Sequence, residues 1–125
     1  AEDKDFDATA LPGGLSLDAD LTKRTSQLER LRELVTNENF EARLAAVKTL
    51  AKSRDLDNVP ALIFALTDPN PMIVQEAESG LRFISRKFAG FGLPAQPTKE
   101  QLDASRLKWR AWYLSIRPDG QLLDY

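Results

Sequence analysis

The chain has 125 residues, 42% apolar and 29% charged, the proportions of one ordinary globular domain. It contains neither cysteine nor histidine, which removes disulfides, thiolate nucleophiles, the commonest zinc ligands and every triad built on imidazole or thiolate. Net charge is only −2 but unevenly spread: Glu2, Asp3, Asp5, Asp7, Asp18 and Asp20 face Lys4 alone at the start, leaving the remainder mildly basic.

Charges or prolines interrupt every apolar stretch before the roughly 20 residues that a membrane-spanning helix requires, so no membrane span is expected. The chain starts Ala-Glu-Asp without an initiator Met, as a processed or trimmed chain does; removal of an export signal is one such process.

Residues 1–19 read as an acidic, flexible N-terminal tail, because Pro12-Gly13-Gly14 breaks any regular pattern and only Phe6, Leu11, Leu15 and Leu17 offer apolar surface. A solvated terminus accounts for it more simply than a segment that orders on a partner. From Asp20 the pattern turns helical. Leu21, Leu28, Leu31 and Val35 recur at seven, three and four residues, one stripe of a helix turning every ~3.6 residues. A second helix follows, with Phe40, Val47, Leu50 and Ala51 on one side and Glu41, Lys48 and Lys52 on the other, capped by Asn37 or Asn39.

In "DLDNVPALIFALTDPNP", Asp57 or Asn58 is the expected cap of a short third helix. Pro60 stands in its first turn and Leu62, Ile63 and Leu66 form its apolar face. Pro69 disfavours helical geometry at Asp68, while Asn70 and Pro71 are a cap and a first helical residue, so a fourth helix begins there. It is expected to run to about Lys87, with Ile73, Ala77, Leu81, Ile84 and Phe88 on its inner stripe. Gly80 inside it weakens the helix by roughly 1 kcal/mol relative to Ala, which points to a close approach by a neighbouring helix. Ala89-Gly90-Phe91-Gly92-Leu93-Pro94 breaks the pattern. Thr98-Lys99-Glu100-Gln101 matches a capping box, and a last helix carrying Leu102, Trp109, Trp112, Tyr113 and Ile116 should end before Pro118. The fold class is all-α, with five helices and no strand.

Shifting the sequence by thirty-one residues aligns Leu28 with Val59, Leu31 with Leu62, Val35 with Leu66 and Thr36 with Thr67. It also aligns Asn39 with Asn70, Ala46 with Ala77 and Leu50 with Leu81. The matches fall on apolar faces and inter-helix turns, as in a duplicated helical hairpin. The second copy, "NVPALIFALTDPNPMIV" followed by "EAESGLRFI", resembles the HEAT-repeat family, particularly its short-repeat, phycobilin-lyase-like subtype. Asp68 falls at the family's turn aspartate, Ala77 and Leu81 at its packing positions, and Arg43 of the first copy at its arginine. Val74 stands where the second copy would have that arginine, and Asn37 where the first would have the aspartate, so a polar ladder between units would be incomplete.

The resemblance covers roughly residues 26–86 and implies a short α-hairpin stack, a HEAT-like α-α superhelix, with a C-terminal capping helix. The expected organisation is a tail over 1–19 and a helical domain over 20–125. That domain divides into repeat units of about 26–56 and 57–87 and a cap over 88–125. Each hairpin leaves an apolar face open, and Trp109, Trp112 and Tyr113, at roughly 150 to 250 Å² each, are suited to cover the end.

Nothing in the chain forms a catalytic constellation. Asp55, Asp57 and Asp68 lack the alternating acids, central Gly and distal Glu of a calcium loop. Glu76 and Glu78, two apart on a helix, diverge. Gly90 and Gly92 follow no strand and read as loop punctuation rather than a phosphate cradle. The Trp109-Arg110-Ala111-Trp112-Tyr113 run has hot-spot composition, but its spacing favours a core-facing helix with cationic stems laid over rings. Arg82, Arg86, Lys87, Lys99, Arg106, Lys108, Arg110 and Arg117 make the C-terminal half basic. A pI near 5.2 and the acidic start nonetheless disfavour nucleic acid.

The expectation is therefore a non-enzymatic protein-interaction or scaffold module without metal or cofactor. It would contact another protein through Arg43, Lys48, Gln75, Glu78 and Arg82 on the second helices of the two hairpins. The alternatives are an accessory or lyase-like domain holding a prosthetic group, as the subtype implies, and weak nucleic-acid binding by the basic half. Two hairpins are few for an independent stack, which leaves room for self-association or docking onto a larger assembly.

Overall fold

The computed structural model describes residues 20–53, 55–91, 93, 94, 96–120 and 122, so the acidic N-terminal segment lies outside the described residues. These residues form five α-helices, one 3₁₀ turn and no strand: α1 (Leu21–Leu34), α2 (Phe40–Lys52), the turn Leu56–Asn58, α3 (Val59–Ala65), α4 (Pro71–Ser85) and α5 (Lys99–Ile116). None is long and apolar enough to cross a membrane.

The helix starts follow the polar residues that precede them. Asp20 accepts from the N–H groups of Thr22 and Lys23, Asn39 from Glu41 and Ala42, and Asn70 from Met72, each satisfying donors that the first turn leaves unpaired. Thr98 and Gln101 close the reciprocal capping box, with bonds of 2.9 and 3.1 Å. The expected cap of α3 differs. Asn58 occupies the cap position without bonding the helix backbone, and it is fully buried. Its side chain accepts from Arg32 Nε at 2.6 Å and donates to Ser53 Oγ, tying together α1, the end of α2 and the start of α3. Asp55 caps the 3₁₀ turn instead, and Asp57 pairs with Arg117.

The helices pack as two hairpins, α1 with α2 and α3 with α4, and α2 lies along α4 as the main contact between the units. Leu31, Val47, Leu50, Val59, Leu62, Ile73, Ala77 and Leu81 are all buried between them. Gly80 sits at the crossing of α2 and α4, where a Cβ would fall 2.5 Å from Ala51 Cβ and 2.8 Å from Ala51 Cα, so the two backbones meet there.

The last helix lies against α3, running antiparallel to it, since Arg117 just past its C-terminus meets Asp57 in the turn before α3. Trp109 is fully buried and Tyr113 nearly so, as a capping helix requires; Trp112 is half-buried. Phe91 and Trp112 stand edge-on to the Trp109 ring, with centroids 4.7 and 5.8 Å away.

Three apolar residues assigned to inner stripes lie outside. Leu21 is 78% exposed, because the first turns of α1 extend past the hairpin contact. Phe88 is 65% exposed: α4 ends at Ser85, two residues before the expected end, with Arg86 in the left-handed region at φ 63°, and the chain turns away. Ile116, in the last turn of α5, is about half exposed.

Candidate functional site

The α4 residues Val74, Gln75, Glu78, Ser79 and Arg82 succeed one another at one, three, one and three residues, so they share the helix face turned away from α2. A further unit of the stack would pack on that face. Here it borders an open groove of about 770 Å³ whose other wall is the segment linking α4 to α5, through Leu93, Pro94, Gln96 and Pro97, together with Leu102 of α5. Asp68, Pro69 and Pro71, before and at the start of α4, line it as well. The walls are prolines and aliphatic side chains, while Gln75, Ser79, Gln96 and Arg82 supply polar atoms.

Glu78 is 5% exposed and its carboxylate is divided between two donors. Trp109 Nε1 donates to Oε2 at 3.0 Å, and Arg82 Nε donates to Oε1 at 3.0 Å. A buried carboxylate is tolerated when it is paired and hydrogen-bonded in this way. Gly90 covers the pair: its φ is +60°, and a Cβ there would lie 2.6 Å from Glu78 Oε1 and 2.9 Å from Arg82 Nε. The groove is thus held from α4, from the linking segment and from α5 at once.

Asp68 is anchored across the repeat boundary. Arg43 Nε donates to Asp68 Oδ2 at 2.8 Å, while Arg43 Nη1 donates to the carbonyls of Asn37 and Glu38 at 3.0 and 3.1 Å. Asp68 Oδ1 accepts from the Asn70 N–H at 2.9 Å, and Asn37 makes the equivalent bond to Asn39 at 2.8 Å. One rung of a polar ladder is therefore present. The position one repeat after Arg43 is Val74, which is buried and forms part of the groove wall.

Of the five residues expected on a contact surface, Gln75, Glu78 and Arg82 line this groove, and Arg43 touches it through Asp68. Lys48 is half-buried on α2 and is not part of it. Glu78 differs from its expected solvent-facing placement, because Trp109 from the last helix covers it. Sequence reasoning missed the second wall, reading Leu93, Pro94 and Pro97 only as a helix break; the alternation of proline with apolar residues was the available signal. Of the basic residues of the C-terminal half, Arg82 pairs with Glu78 on α4, and Arg117, just past the end of α5, pairs with Asp57. The Arg117 guanidinium is held above its usual range by the hydrogen bond to Asp57. Among the described residues, no three His, Cys, Asp or Glu side chains gather as a metal site.

No curated protein and no solved structure matches the chain significantly. A family model does: that of HEAT repeats, over residues 8–82, more than half of the chain and beginning inside the acidic segment. Repeats of this kind generally mediate contacts between proteins. With duplicated hairpins, a shared crossing at Gly80 and a turn aspartate gripped by the preceding unit's arginine, the chain belongs to the HEAT-repeat family.

Proposed function

We propose that the protein is a non-enzymatic interaction module and that the groove beside α4 receives a segment of a partner protein. The observation that carries this reading is the groove itself: about 770 Å³ bounded by proline and aliphatic walls, with two amides, a hydroxyl and the Glu78-bound guanidinium of Arg82 along it. Its frame is preorganised, since Glu78, Trp109 and Gly90 lock α4, α5 and the linking segment together, which lowers the ordering cost of binding. Gln75 and Ser79, exposed on α4, are the residues a partner meets first. Arg82, with a third of its side chain exposed, adds a cation at the rim.

The test is affinity capture from native extract with the immobilised chain, set beside the Gln75→Lys/Ser79→Lys double variant and beside Lys48→Glu. Proteins retained by the unaltered chain and by Lys48→Glu, but lost with the double variant, support the groove. Equal retention by all three rejects it, and selective loss with Lys48→Glu moves the contact surface to α2.

A further inference from the structure

Arg43, Val47 and Ala51 form the stripe of α2 that meets the second hairpin: Arg43 holds Asp68, and Ala51 meets Gly80. Ala45 and Thr49 stand on the opposite side, each about 160° around the helix from Val47. The repeat says what belongs there. Thr49 precedes Gly80 by the thirty-one-residue period, and Gly80 is where α4 receives the unit before it, so Thr49 marks where α2 would receive a unit before the first. The helices packed on α2 are α1, α3 and α4, and among the described residues no helix precedes α1. Yet Ala45 and Thr49 are each only 3% exposed.

We propose that residues 1–19 cover this face of α2, with Leu11, Leu15 and Leu17 laid over Ala45 and Thr49, and so close the first end of the stack as α5 closes the last. Small side chains make a shallow floor that leucines can fill. The family match agrees, since it spans residues 8–82 and so includes residues 8–19 in the pattern of the repeats. The acids of the segment then supply the polar outer surface that the terminal unit of a stack needs.

Reach and charge fit as well. The short turn between α1 and α2 makes them antiparallel, so Leu21 at the start of α1 stands near the end of α2. Leu17 is four residues earlier, a reach of up to about 14 Å, whereas packed helix axes lie about 8–10 Å apart. Lys48 and Lys52 follow Ala45 and Thr49 by three residues each and border the same face. Opposite them the segment brings Glu2, Asp3, Asp5, Asp7 and Asp18 against Lys4 alone. The groove beside α4 is on the other side of the stack, and the cover does not depend on its occupant.

The absence of native cysteine lets a single introduced thiol report on the face. In the full chain, Thr49→Cys is expected to react with a thiol reagent at least about tenfold more slowly than Gln75→Cys on exposed α4 surface. Adding Leu15→Lys and Leu17→Lys should bring the two rates together, with helical circular dichroism and Trp109 fluorescence unchanged. A second measurement leaves both lysines out: Leu15→Cys closes an intramolecular disulfide faster with Lys48→Cys than with Glu29→Cys, an exposed α1 residue within the same reach. A Thr49→Cys thiol equally slow with and without the two lysines, or equal disulfide rates, overturns the proposal. Protection that grows with protein concentration also overturns it and assigns the face to a second copy.

Discussion

Arg43 in the second helix of the first hairpin holds Asp68 in the turn of the second hairpin, with Nε 2.8 Å from Oδ2 and the Asp68 side chain only 5% exposed. The same guanidinium caps the carbonyls of Asn37 and Glu38, so one side chain joins both inter-helix turns. Removing one partner of a largely buried pair strands the other. Asp68→Ala is expected to cost about 2–4 kcal/mol, the usual scale of such a loss. Urea unfolding of Asp68→Ala, Arg43→Ala and the double variant should give a coupling of at least about 1 kcal/mol. Strict additivity would mean that the rung contributes no joint stabilisation.

Gly80 makes a prediction opposite to helix propensity. Alanine improves an isolated helix by roughly 1 kcal/mol over glycine. At this crossing, however, its methyl would fall 2.8 Å from the Ala51 Cα, which cannot rotate away. Gly80→Ala is therefore expected to destabilise by about 1–3 kcal/mol, the cost of overpacking. Adding Ala51→Gly should recover part of it. A more stable Gly80→Ala chain in thermal unfolding would show that α2 and α4 do not meet there.

Trp109 fills the core and donates to a buried carboxylate. Trp109→Phe keeps a ring but leaves Glu78 with Arg82 as its sole partner of the two, for an expected loss of about 2–4 kcal/mol. Trp112→Phe, at a half-buried position without that bond, should cost less than half as much. The ranking of the two variants in denaturant midpoints is the measurement, and equal losses would contradict the assigned role of the Trp109–Glu78 bond.

Gly90 separates backbone strain from crowding. Asparagine tolerates a positive φ better than alanine does, so if conformation alone mattered Gly90→Asn would be mild. Because any Cβ there would press on the Glu78–Arg82 pair, both Gly90→Ala and Gly90→Asn are expected to destabilise, by about 1–3 kcal/mol. A neutral Gly90→Asn would place the whole effect in φ.

Features that depend on neighbours in the chain were legible from the residues. Asn39, Asn70 and the Thr98–Gln101 box act within a turn of where they stand, and the thirty-one-residue repeat exposed the leucines of the core. Gly80 was readable because a glycine within a helix costs stability and so needs a compensating contact. Glu78 was not: its burial is decided by Trp109, thirty-one residues later, and α4 alone gives no sign of it. The end of α4 was misplaced because Arg86, which is neither Gly nor Asn, takes the left-handed conformation that usually marks those residues.

The reversed direction of α5 limits how this architecture can grow. A solenoid lengthens by repeating one screw displacement, and each added helix must point the same way as its counterpart in the unit before. A helix laid head-to-tail against α3 breaks that rule, so the next hairpin could not be generated from α5 by the same operation.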